Sequence, residues 1–133
     1  MKKFLCLGAA ALAGCGGGAP EVDVTLAVAD NALRKPGESC SGSGGYLYVH
    51  RGARYSVVDS SGDNVADGEL PGGVARRIGE PIAGAVVEPT ACAMTFSLRL
   101  PDRETYVFRL AGEKAISFGA AAVRDGRLTL RLP

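Results

Sequence analysis

Few residues in this 133-residue chain are of a type and spacing suited to catalysis. His50 is the only histidine. A serine or cysteine nucleophile needs a base within hydrogen-bond reach, so any such site would have to be built around His50. No Gly-x-Ser-x-Gly elbow is present to present a serine. Asp59, Ser61 and Asp63 imitate the first ligands of a calcium loop, but the sixth position is Asn64 where the sharp turn wants glycine. The twelfth is Leu70 where a bidentate glutamate is needed, so the segment reads as an acidic hairpin turn. Gly42-Ser43-Gly44-Gly45 would cradle a phosphate only if it opened a helix, and the Tyr46-Leu47-Tyr48-Val49 that follows is strand-like. Fourteen acids are available for paired-carboxylate chemistry, yet no two are singled out by position. Arg76 and Arg77, after Pro71-Gly72-Gly73, read as a solvated loop pair. No metal or cofactor site is expected.

The N-terminus carries a more specific signal. Lys2 and Lys3 precede a ten-residue apolar run from Phe4 to Ala13, and Leu12-Ala13-Gly14-Cys15 closes it. The run suits a secretory leader and is too short to remain as a spanning helix. This arrangement resembles the lipobox of bacterial lipoproteins. The resemblance implies a signal peptide over residues 1–14, a diacylglyceryl group on the Cys15 thiol and a further acyl chain such as palmitate on its amine. One acyl chain binds a membrane only marginally, whereas two or three on one cysteine hold it firmly. Residues 15–20 then form a glycine-rich tether, and 21–133 a single domain. The implied address is extracytoplasmic: the outer face of the cell membrane, or the outer membrane in a diderm host.

With Lys2 and Lys3 removed, thirteen basic residues face fourteen acidic ones. Near-neutrality gives no electrostatic footing for nucleic acid. Cys6 leaves with the leader and Cys15 is assigned to lipid, which leaves Cys40 and Cys92. In an oxidising compartment this pair is expected as one disulfide. There is no Cys-x-x-Cys, and His50 has no metal-site spacing to either cysteine, so a redox couple or a metal centre lacks local support.

Alternation marks most of the body as strands. Val22, Val24, Leu26 and Val28 alternate with polar or small residues. Tyr46–His50 is a second expected strand. Tyr55–Asp59 and Asn64–Leu70 flank Ser60-Ser61-Gly62-Asp63 as a hairpin. Cys92, Met94, Phe96, Leu98 and Leu100 share one face, which points the Cys92 sulfur at the core. Thr105–Leu110 and Leu128–Leu132 complete the set, and Ser117 is expected to cap a helical turn over Ala120–Val123, ended by Asp125-Gly126. The expected fold is all-β, an antiparallel sandwich or small barrel of about six or seven strands.

Two runs resemble known proteins. Cys40-Ser-Gly-Ser-Gly44-Gly45-Tyr46, with Val57-Val58-Asp59-Ser-Ser-Gly62-Asp-Asn-Val65-Ala66-Asp-Gly68, resembles small envelope lipoproteins of GC-rich bacteria. The hairpin is also similar to the carboxypeptidase-regulatory type of β-sandwich. These resemblances imply fold and address and carry over no catalytic or binding residue. The functional expectation is a non-catalytic, lipid-tethered module binding an envelope protein or glycan, the alternative being a small envelope hydrolase. Tyr46, Tyr48, His50 and Tyr55 are the expected binding face, because aromatics with polar tips give contact area at low entropic cost.

Overall fold

The computed structural model describes residues 19–111 and 114–132. Cys15 and the leader lie outside the described residues. Among the described residues, nine strands form two sheets: β1 (Glu21–Arg34), β2 (Ser39–Cys40), β3 (Arg54–Asp59), β4 (Asn64–Glu69), β5 (Gly73–Arg77), β6 (Glu88–Arg99), β7 (Thr105–Leu110), β8 (Lys114–Gly119) and β9 (Arg127–Arg131). One sheet runs β2-β5-β6-β1-β9 and the other β4-β3-β7-β8. Pairing is antiparallel except between β1 and β9. The all-β sandwich expected from the alternation is present.

Each sheet turns its apolar face inward. Val22, Val24, Leu26 and Val28 of β1 are fully buried with Cys92 and Met94 of β6 and Leu130 of β9. Phe108 and Leu110 of β7 and Val57 of β3 close on them from the other sheet. Burying one such side chain contributes roughly 1.5–3 kcal/mol. The sheets interlock through aromatic rings. Phe96 stands 5.1 Å from Tyr55 and 6.3 Å from Phe108 across the interface, while Tyr55 stacks on Phe108 at 5.3 Å. Such pairs add to plain burial.

The chain crosses between sheets at residues 100–104, and Tyr106 fixes the corner. Its hydroxyl donates to the Pro101 carbonyl at 2.8 Å and accepts from the Arg103 N–H at 3.0 Å. A tyrosine tied to the backbone a few residues upstream is a recurrent corner device in sandwiches. The return crossing, from β8 to β9, uses the single turn α1 (Ala120–Arg124). The expected helical turn is there, but its N-cap is Gly119; Ser117 lies exposed within β8.

One expected strand is absent. Gly44–Tyr46 is a 3-10 turn, and Val49 N–H donates back to the Tyr46 carbonyl. The β-preference of Tyr-Leu-Tyr-Val is overridden because the segment curls on itself. Gly44 takes a φ of +62°, and a β-carbon on Gly42 would overlap the Tyr46 carbonyl oxygen. Strands β2, β5 and β8 were not anticipated. Arg76 and Arg77 consequently belong to β5 and not to a loop, and Arg77 is paired with Glu88 through Nε–Oε1 at 3.0 Å.

Candidate functional site

The regular ladder between β1 and β6 breaks at one place. Register shifts between Val28 and Ala32, and Asn31 adopts a φ of +54°. Bulges re-aim side chains, and here the result is an internal ion pair. Arg34 NH1 and NH2 meet both oxygens of the Asp30 carboxylate at 3.0 and 2.7 Å. The Asp30 and Arg34 side chains are only 2% and 9% exposed. Further hydrogen bonds extend the network. Arg34 also donates to Thr90 Oγ1 and the Ser41 carbonyl, and Thr90 Oγ1 donates to the Ala32 carbonyl. Ser43 gives Asp30 both its backbone N–H and its hydroxyl.

Desolvation is the largest influence on the Asp30 carboxyl and opposes its ionisation. The Arg34 guanidinium, then Ser43 and the Ala32 N–H, outweigh it together and hold the group at about 2. The Asp30 carboxyl therefore stays ionised in neutral solution. Its consequence is to pin the Ser41–Ser43 loop to the end of β1. The Ser43 N–H, which a phosphate would require, is spent on Asp30. The helical turn that begins at Gly44 spans three residues, too short to present a phosphate site.

A second tie fixes the same loop. Cys40 and Cys92 are joined in a disulfide, with Cα atoms 5.9 Å apart and a sequence separation of 52. Cys92 is fully buried on the inner face of β6, as its alternation requires. Cys40 pairs in register with Gly73 of β5, and Cys92 with Ala75. The bridge thus spans the β5 strand.

Between these ties lies a groove of about 610 Å³, lined by Leu33, Leu47, Arg51 and the serines 39, 41 and 43, among others. No acidic residue lines it. Arg34 borders it with its charge already met by Asp30. Arg51 has no ion pair or side-chain hydrogen bond among the described residues, and its Cδ lies over Gly72. Leu33 and Leu47 are 68% and 72% exposed at the rim.

More apolar surface adjoins the groove. Leu33 is in register with Pro89, and Val74 with Ser39. The segment between β5 and β6 leaves Ile78, Ile82, Val86 and Val87 exposed. Its base is closed by the Arg77–Glu88 pair, with Glu88 5% exposed. A second depression, of about 440 Å³, runs along β3, β4 and β7. Its Arg54 is paired with Glu69 at 3.3 Å, and the opposite charges of Asp67 and Arg109 border it too. It offers no excess of either charge.

The four residues expected to form a binding face are not brought together. Tyr46 and Tyr48 are half-buried neighbours with ring centres 6.5 Å apart. His50 is exposed, and its Nδ1 lies 2.9 Å from the Arg51 carbonyl oxygen. Tyr55 is buried in the aromatic cluster between the sheets, so it presents no ring to solvent. Burial, and secondarily the negative charge of Asp67, push its hydroxyl pKa upward.

Asp59, the head of the calcium-like run, is turned onto its own hairpin. It accepts from the Ser61 N–H and hydroxyl, the Asp63 N–H and Arg103 Nε. Arg103, followed by Ser61, draws its carboxyl well below the ordinary range. Among the described residues no three His, Cys, Asp or Glu side chains converge as a metal cluster. No helix among them is long and apolar enough to cross a membrane.

Sequence reasoning missed Arg51, Leu33 and the Asp30–Arg34–Thr90 network. Asp30 and Arg34 show only as charges four apart, and nothing local announces the bulge that turns both inward. No protein-family model matches the chain, and no curated protein or solved structure is significantly similar to it.

Proposed function

We propose that this protein is a lipid-anchored extracytoplasmic binding module that holds a partner of the cell envelope at the end of the sandwich remote from its anchor. The observation that carries the reading is the polarity of the β1–β6 ladder. The chain enters beside Arg99 and Leu100, which bond to the carbonyls of Ala19 and Pro20. The exposed aliphatic residues gather where Arg34 stands in register with Glu88, at the other end. A strand of fourteen residues separates the two, a distance of roughly 40 Å at the usual rise per residue.

An anchor on Cys15 would therefore leave Leu33, Leu47 and the 78–87 segment facing away from the lipid. An apolar surface so placed is suited to a protein partner and poorly suited to a second membrane grip. The disulfide fits an oxidising compartment, which supports the same address.

The test has two arms. Intact mass of protein taken from membranes should show an N-terminus at Cys15 with acyl chains, and Cys15→Ser should leave an uncleaved or secreted form that carries none. A photo-crosslinker at Val86 should give a defined adduct in intact cells, while one at Arg99 gives none. A free Cys15 thiol in membrane-derived protein overturns the anchor. Equal crosslinking from both ends overturns the polarity.

A further inference from the structure

Resting on that reading of a binding module, we propose that the groove beside Arg51 receives the C-terminal end of an extended polypeptide of the partner, with an aliphatic final residue. Arg51 is the natural carboxylate clamp. Its guanidinium carries no partner among the described residues, and no acid lines the groove to compete for it. A planar guanidinium takes a carboxylate through two parallel hydrogen bonds. The other arginine at the groove, Arg34, is committed through both terminal nitrogens to Asp30, Thr90 and the Ser41 carbonyl. Its role is to keep the wall rigid.

The rest of the lining suits a peptide better than a hydrocarbon chain with a carboxylate head. A fatty acid needs an enclosed apolar tunnel to cover its methylenes, and this groove is open. Its floor and wall carry hydroxyls and glycine backbone: Ser39, Ser41, Gly72 and Gly73. An extended chain brings its own N–H and C=O groups, which must find partners when they leave water. Leu33 and Leu47, both lining the groove and largely exposed, supply apolar contact for one aliphatic side chain next to the carboxylate.

The wall is also preorganised. The disulfide holds Cys40, and Asp30 holds Ser43. A groove fixed before binding avoids the ordering cost that a mobile loop would add.

The experiment uses the full chain in detergent, oxidised, on two random tetrapeptide arrays. One array is attached through the N-termini and leaves carboxylates free; the other is attached in reverse and leaves none. Binding is expected only on the first, at spots ending in Val, Leu or Ile. Amidating a selected peptide should weaken it about tenfold or more, as expected for a lost charge-assisted pair. Arg51→Gln should cause the same loss and remove the difference between acid and amide, whereas Arg51→Lys should keep part of it. Equal binding to both arrays, or an acid–amide difference that survives Arg51→Gln, overturns the assignment. Tighter binding of octanoate than of the selected peptide overturns the peptide as occupant. A defined crosslink at Val86 together with any of these three failures leaves the binding module standing and removes only this occupant.

Discussion

A β-carbon built on Gly73 would stand 2.6 Å from the Cys92 sulfur. The Cys40–Cys92 bridge passes so close over β5 that this strand position has no room for a side chain. The same added carbon would lie 3.0 Å from the Cys40 carbonyl oxygen and 3.2 Å from Met94 Cγ. Gly73 and the disulfide are thus one packing unit. Its function is to hold β2, only two residues long, against the body of the larger sheet.

Gly73→Ala should therefore destabilise the oxidised protein by about 1–3 kcal/mol, the usual cost of overpacking. Removing the bridge with Cys40→Ala and Cys92→Ala should cost roughly 4 kcal/mol, on the chain-entropy account of a loop of this size. In that background Gly73→Ala should cost less, because the sulfur it strikes is gone. Urea unfolding of the unmodified protein and these three variants measures the coupling. Additive effects would show that Gly73 and the bridge act independently.

Acid should weaken the fold through Asp30. Its folded-state pKa of about 2 lies below the unfolded carboxylate value of about 3.9. Between those values the unfolded chain binds more protons, so stability is full above the unfolded value and is lost as pH falls toward the folded one. Asp59 acts in the same direction. The urea midpoint should be flat near neutrality and decline from about pH 5 to pH 2, a window set by these pKa values. Asp30→Asn should make that decline shallower, even though it lowers stability overall by leaving Arg34 without its anion. An unchanged acid slope in the variant would exclude Asp30 as a source.

How far the sequence revealed this molecule depends on where the information sits. Strict alternation is local, so β1 as far as Val28, the β3–β4 hairpin, β6, β7 and β9 were legible. The burial of Cys92 followed from the same pattern. Strand β5 was not legible because Gly-Val-Ala-Arg-Arg has little preference of its own and exists through pairing with β6. Tyr46–Val49 failed in the opposite sense: strong local preference with no strand beside it. The candidate site was mostly hidden. Arg34 meets Thr90 across 56 positions, and Arg51 matters only because the loop around Ser41 is folded toward it. Tyr55 misled because amphipathic aromatics look alike in sequence whether they face solvent or fill the space between two sheets.

The corner tyrosine should be worth more than its ring. Tyr106→Phe keeps the stack on Phe118, whose centre is 5.0 Å away. It removes the donor to Pro101 and the acceptor for the Arg103 N–H. The expected loss is about 1–3 kcal/mol, since two backbone groups lose their partner at a partly buried site. Calorimetric unfolding measures it, and hydrogen exchange should show faster opening at Arg103. A neutral substitution would mean that water replaces the hydroxyl at no cost.

Gly68 and Tyr55 form the last tight contact, directly opposite each other in the β3–β4 ladder. The Tyr55 ring lies across the bare backbone of Gly68, where an added β-carbon would come within 2.6 Å of its hydroxyl and 2.9 Å of Cζ. An aromatic folded over a cross-strand glycine covers backbone that would otherwise face water. Gly68→Ala should push the ring off this position. The ring cannot move without disturbing Phe96 and Phe108, so the strain reaches the contact between the two sheets. A loss of about 1–3 kcal/mol is expected by overpacking, with altered near-ultraviolet circular dichroism from the aromatic cluster. Tyr55→Phe shortens the side chain at the clashing end, so it should recover part of that loss. If the double variant is no more stable than Gly68→Ala alone, the hydroxyl is not the atom that sets the fit.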